Sequence, residues 1–174
     1  MEMGVQTVRR DFSDKQVRRS LFRILRNNVL CSMATVTPEG QAHINTAYFA
    51  YTKGLELVFV SYPDSHHARN LQSNSSIAMT VFNSAQTWGR QDTGVQLFGT
   101  CRQAEKRLLG KMVSVYGQRY LGFAKWKRQF EKKEGEFPLR FYQFVPRHAT
   151  ILDEREFGGG LFITVHLPRR RDHL

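Results

Sequence analysis

Cysteine is scarce in this chain: Cys31 and Cys101 are the two present among 174 residues. Both lie in apolar, strand-like runs, which reads as buried free thiols ahead of a disulfide or a metal pair. Acidic residues are also few, 15 against 26 lysines and arginines, so the formal net charge is +11. No apolar run approaches the length of a membrane-crossing helix. The N-terminus, MEMGVQTVRRDFSD, has no apolar stretch of the secretory kind. The expectation is therefore a cytoplasmic protein with no membrane partner. There is no GxGxxG, no P-loop, no internal repeat and no low-complexity block. The positive charge invites nucleic acid. It falls, however, on helical segments (Arg9 to Arg26 and Lys106 to Lys133) and on a tail, Arg169–Arg171. No helix-turn-helix, zinc or RNA-sheet pattern accompanies it, so nucleic acid is not the expected partner.

Aromatics are present mainly as phenylalanine, 13 in all, and 41% of the residues are hydrophobic, enough for one core. Ser13 to Gln16 has the spacing of a capping box. Val17, Leu21, Ile24 and Leu25 follow at helical spacing, which predicts a helix over residues 14–28. Strands are expected at 29–36, 41–51, 55–61, 76–83, 94–104, 137–147, 148–154 and 161–167, with T-P-E-G and T-K-G as turns. Residues 105–133 read as helix in two pieces broken near Gly117, and 84–93 as an exposed loop. Short strands joined by tight turns give a mainly β fold with flanking helices (α+β): an antiparallel sheet closed into a barrel. One domain over 1–168 and a basic tail over 169–174 complete the expected organisation.

The stretch VSYPDSHHARNLQSN, 60–74, carries the most chemistry. A strand ends, and Ser65, His66, His67 and Arg69 stand where a short helix begins. Free N–H groups and the positive end of the dipole make such a start a place for an anion.

The order of motifs is more specific than any one of them. A strand ending A-T-V, a P-E-G turn, N-T-A-Y-F, V-F-V-S, S-x-H-x-R-N-L-x-x-N, I-A-M-T-V-F, a Trp-bearing loop and V-Q-L-F-G-T follow one another over 14–104. Together with F-Y-Q-F-V-P-R-H-A-T-I-L-D, this resembles the FMN-binding split barrels of the pyridoxamine 5′-phosphate oxidase-like superfamily. The resemblance implies a homodimer with FMN in a groove at the interface and a small-molecule substrate for an FMN-dependent oxidoreductase. It implies that Asn45, Thr46, Ala47 and Tyr48 run along the flavin, that Val60 and Ser61 touch it, and that Ser65, His66 and His67 grip its phosphate. Arg69, Trp88 and Gln96 complete the candidate set. The chain departs from the oxidases in having Asn45 where they place an arginine, and histidines where they place Arg-Lys. Their C-terminal Trp…Arg pattern for pyridoxamine phosphate is not found, which sets vitamin B6 oxidation aside.

Plainer readings stand beside these. Ser65 can be an N-cap, a role compatible with phosphate contact. His66 and His67 can be exposed loop histidines. Asn45 is out of place in a strand on propensity alone. Tyr48 reads first as core or interface packing, Trp88 first as edge packing and second as a lid. Gln96 either meets the flavin or is solvated, and Gly158–Gly160 read as a turn. No catalytic base is assigned; His148 and Tyr48 are the possibilities. Other split-barrel cofactors, deazaflavin and haem, stay open, and a haem would take His67, His148 or His166 as axial ligand. A non-catalytic flavin-sensing or nucleic-acid-binding protein is the remaining alternative.

Overall fold

The computed structural model describes residues 5–167. The elements run β1 (Gln6–Asp11), α1 (Lys15–Asn27), β2 (Leu30–Val36), β3 (Ala42–Tyr51), β4 (Leu57–Ser61), α2 (His66–Ser73), β5 (Ser76–Phe82) and β6 (Thr93–Gln103). They continue with α3 (Leu109–Arg119), α4 (Phe123–Glu134), β7 (Arg140–Asp153), α5 (Glu154–Phe157) and β8 (Leu161–His166).

Strand order is β1-β8-β7-β4-β3-β2-β5-β6, and β6 also pairs with β7. That second pairing closes β7, β4, β3, β2, β5 and β6 into a six-stranded antiparallel barrel. Closure removes the sheet edges that would otherwise be open to pairing. Strand β7 does two jobs. Its first half pairs with β4, while its second half carries β8 outward from the barrel. The sequence reading divides this strand between Arg147 and His148, and the structure corrects it: Arg140–Asp153 is continuous. The register shifts between Phe98 and Gly99, whose partners are His148 and Pro146, so Arg147 is the extra residue of a bulge beside Pro146, which cannot donate to the ladder. The close approach there also explains Gly99. A Cβ at that position would lie 2.2 Å from Val145 O and 2.7 Å from the Pro146 Cα.

Period-two alternation fills the barrel with Met33, Phe49, Phe59, Leu97, Phe144 and Ile151, all fully buried. Helix α1 adds Val17, Leu21 and Leu25 to the same core. Its cap is Asp14 rather than Ser13: the Asp14 carboxylate accepts the N–H groups of Gln16 at 2.8 Å and Val17 at 3.2 Å. Strand β1, too polar to register as a strand in the sequence, pairs parallel with β8.

A second apolar cluster lies outside the barrel, where Met112, Tyr116 and Phe123 cover Ala50, Val58 and Phe141. The helical break falls at residues 120–122, not near Gly117, which lies inside α3. Cys31 and Cys101 are buried free thiols. Burial pushes the Cys31 thiol up to about 12. No helix among the described residues is long and apolar enough to cross a membrane. The basic tail expected at 169–174 lies outside the described residues.

Candidate functional site

A cavity of about 660 Å³ opens between the barrel wall and the outer helices. Strand β3 lines it with Asn45, Thr46, Ala47 and Tyr48, β4 with Val60 and Ser61, and α2 with His67. These seven come from the sequence-derived set. The opposite wall was not anticipated: Tyr116 from α3, and Gly122, Phe123 and Trp126 around and within α4, with Tyr120 at the turn between.

The wall is fixed by hydrogen bonds as well as packing. Tyr120 donates its hydroxyl to Phe49 O at 2.6 Å, and Tyr116 donates to Tyr48 O at 3.4 Å. Tyr116 packs at a tilt against Tyr120 and edge-on against Phe123, with centroids 4.8 Å apart in each pair. Burial, the leading cause in each, raises the pKa of both phenols and keeps them protonated as donors. Arg119 holds the same helix to the barrel by donating to Leu25 O at 2.8 Å and lying over the Phe49 ring at 4.5 Å.

The other end of the cavity is polar. Ser65 caps α2 by accepting the Ala68 N–H at 3.4 Å, and the Ser61 hydroxyl lies 3.1 Å from that of Ser65. His67 Nε2 stands 2.7 Å from Ser61 Oγ and 3.2 Å from Ser65 Oγ. Burial, then the charges of His43 and His66, lower the His67 pKa, so this imidazole is neutral at pH 7 in the free protein. His43, absent from the sequence-derived set, stacks on His66 with centroids 5.5 Å apart. Its Nδ1 and the Oδ1 of Asn45 are buried with no hydrogen-bond partner among the described residues. Buried polar atoms without partners are uncommon and mark a place where a ligand atom can bond.

The remaining candidates lie elsewhere on the chain. His66 and Arg69 are exposed, and Arg69 donates to Asp64 O. Trp88 is 98% exposed in the 83–92 segment, and Gln96 points outward from β6 beside a separate, smaller pocket. His148 and His166 face each other across β7 and β8 with ring centroids 4.7 Å apart, outside this cavity. Among the described residues no group of three His, Cys, Asp or Glu side chains is placed to hold a metal ion.

Residues 18–152 match the family model described as pyridoxamine 5′-phosphate oxidase. The chain belongs to that family. It stands in a branch outside the true pyridoxamine phosphate oxidases. No curated protein matches it. Among solved structures it resembles a conserved hypothetical protein of Mycobacterium tuberculosis, 19% identical, with a TM-score of 0.65 over 80% of this chain and 86% of that one. A protein related to general stress protein 26 from Clostridium acetobutylicum, of the pyridoxinephosphate oxidase family, is 12% identical, with a TM-score of 0.65 over 88% of this chain and 96% of the other. A heme binding protein from Mycobacterium smegmatis is 14% identical, with a TM-score of 0.65; the match covers 82% of this chain but 55% of that longer one. Likenesses at these identities speak for the fold.

Proposed function

We propose that this cavity holds FMN and that the protein is an FMN-dependent oxidoreductase acting on a small molecule. The observation that carries the reading is the joining of two unlike ends in one cavity: the Ser61 hydroxyl and His67 imidazole, both within hydrogen-bond distance of the Ser65 hydroxyl, and a wall of four aromatic rings. A phosphate suits the first and a flat apolar ring the second. Asn45 Oδ1 fits the cofactor too, as an acceptor that a flavin ring N–H would satisfy.

In this reading Ser61, Ser65 and His67 bind the phosphate, and His67 takes up a proton as the anion arrives. Tyr116, Tyr120, Phe123 and Trp126 exclude water from one side of the ring, while Asn45 orients it. FMN, when bound, supplies hydride or electron transfer.

The site is read as part of a homodimer. Ile44 is 70% exposed and Tyr48 56% exposed on the outer face of β3, and Leu30, Phe82 and Phe98 are exposed on neighbouring strands. A patch of this kind is a candidate contact surface. In a dimer, Trp88 and Gln96 of one protomer become candidates to approach the cavity of the other.

Haem is the second reading, favoured by the likeness to the mycobacterial heme binding protein. Against it, His67 is the one histidine among the described residues that lines the cavity, and its Nε2 already has two hydroxyl partners. The deciding experiment is reconstitution of purified protein with FMN, riboflavin, a deazaflavin and haem, read by absorption and fluorescence. FMN bound at one per chain and more tightly than riboflavin supports the proposal. A Soret band with no flavin uptake overturns it.

A further inference from the structure

A second groove, independent of the cavity proposed for FMN, lies on the solvent side of α1 and has a volume of about 650 Å³. Its apolar floor is Phe22 and Tyr51, whose ring centroids are 5.8 Å apart. Around that floor stand five cations: Arg18, Arg19, Arg23 and Arg26 from α1, and Lys53 from the β3–β4 turn. Their electrostatic states differ. Arg19 pairs with Glu156, and Arg23 with Glu156 and the buried Asp153. The side chains of Arg18, Arg26 and Lys53 have no ion pair and donate no hydrogen bond among the described residues. Five cations against two carboxylates leave three positive charges uncompensated around one concavity.

Such an arrangement costs stability by like-charge repulsion, and an anionic ligand relieves it. The groove also holds its charges in place. The Arg18 guanidinium lies over the Phe12 ring at 4.6 Å and the Phe22 ring at 5.3 Å, a cation–π contact that orders the side chain before any ligand arrives. Arg18 and Arg26 are two turns apart on α1, so their Cα atoms are separated by about 12 Å. A single small anion cannot satisfy both. A chain of linked phosphates can, because each guanidinium fork takes a phosphate by two parallel hydrogen bonds. The rings argue against single-stranded nucleic acid, which needs free aromatic faces for its bases. Here Phe22 carries Arg18, and Tyr51 carries Arg119 at 4.9 Å.

We propose that this α1 groove binds a compact polyphosphate anion, of the length of a triphosphate, through Arg18, Arg26 and Lys53. The site is anchored to the FMN-side wall, since Arg119, beneath Tyr51, donates to Leu25 O at the end of α1 and directly precedes Tyr120. Occupation of the groove thus bears on the helix that lines the other cavity.

The test is calorimetric titration of the full chain with inorganic tripolyphosphate, with a single-stranded oligonucleotide as comparison. One tripolyphosphate per chain is expected, bound more weakly as salt is added. Arg18→Gln/Arg26→Gln/Lys53→Gln should weaken it by about tenfold or more. Lys125→Gln/Lys132→Gln/Lys133→Gln, on the exposed face of α4, should leave it unchanged. His43→Ala/His67→Ala should also retain it, which separates this groove from the histidine end of the other cavity. Circular dichroism checks the fold of each variant. The proposal is overturned by absence of binding to the wild type, by equal loss in the α4 variant, by loss in the histidine variant with retention in the groove variant, or by an oligonucleotide that binds more tightly than tripolyphosphate.

Discussion

His67 Nε2 lies 2.7 Å from the Ser61 hydroxyl, so the last residue of β4 and the second of α2 meet at one point of the cavity. In the free protein the His67 pKa is lowered, by burial first and then by the charges of His43 and His66. A bound phosphate acts in the opposite direction and favours the charged ring. Binding therefore takes up a proton in the pH range between the free-state and bound-state values. FMN affinity should be greater near pH 6 than near pH 9, and should be lost as pH rises through the bound-state pKa. His67→Ala should weaken FMN by about 1–3 kcal/mol, the range for a charge-assisted hydrogen bond. Riboflavin, without the phosphate, should barely respond, and His67→Lys should keep FMN and flatten the pH profile. Fluorescence titrations over that pH range check all four statements; an unchanged FMN affinity in His67→Ala moves the phosphate elsewhere.

The polar end of the site was legible because its cues are local. A strand end, a serine cap and two histidines fall within eight positions, Val60 to His67. His43 left a fainter signal: period-two alternation puts it on the same side of β3 as Asn45 and Ala47. The aromatic wall was not anticipated, because Tyr116 and Trp126 reach β3 from 68 or more residues away. Tyr116, Tyr120 and Phe123 do recur at helical spacing, but that pattern alone reads as a core stripe. The barrel strands were legible from alternation, whereas β1 was not, since TVRRD has charge on both faces and gains its order from β8. The position of the α3–α4 break was missed because a glycine with open space around it, Gly117, does not interrupt a helix.

Two glycines give a contrasting pair of outcomes. Gly99→Ala drives a methyl into backbone atoms of Val145 and Pro146, which have no flexible end to move aside. It should destabilise the barrel by about 3 kcal/mol, at the upper end of overpacking costs. Gly117→Ala meets nothing within 4 Å inside α3. It should stabilise by about 0.5–1 kcal/mol through helix propensity. Urea denaturation of both variants decides it, and equal effects would remove the account of the β6–β7 bulge.

The Asp153 carboxylate is fully buried at the end of β7, where it accepts from the Ser20 hydroxyl, the Arg23 guanidinium and, at 3.3 Å, the Glu156 N–H. Removing Arg23 leaves a buried charge with neutral donors only. Arg23→Met should therefore cost about 3 kcal/mol, since a broken buried pair costs more than the pair contributes. Arg23→Met/Asp153→Leu should recover part of that loss, because the uncompensated charge is gone. Denaturation midpoints at one pH measure both. A single variant as stable as the wild type would show that Ser20 and the Glu156 N–H suffice to hold the carboxylate.

Assembly provides the last prediction. Along the barrel exterior, Ile44 faces Ala34, Ala34 faces Ala78, and Ala78 faces Phe98, a small apolar row beside the polar one of Thr46, Ser32, Thr80 and Gln96. Leaving Ile44, at 70% exposure, and Phe98 in water forfeits hydrophobic free energy of about 25 cal/mol per Å² of apolar area. A second copy can recover it. Light scattering should give a particle of about twice the 20.2 kDa chain. Ile44→Lys places a charge at one end of that row and should shift the protein to monomer while leaving the core untouched, because the side chain points away from Met33 and Phe49. If the cofactor site is shared between protomers, the same variant should lose FMN in proportion to the monomer formed. A monomeric Ile44→Lys that holds FMN as tightly as the wild type would show that one chain completes the site alone.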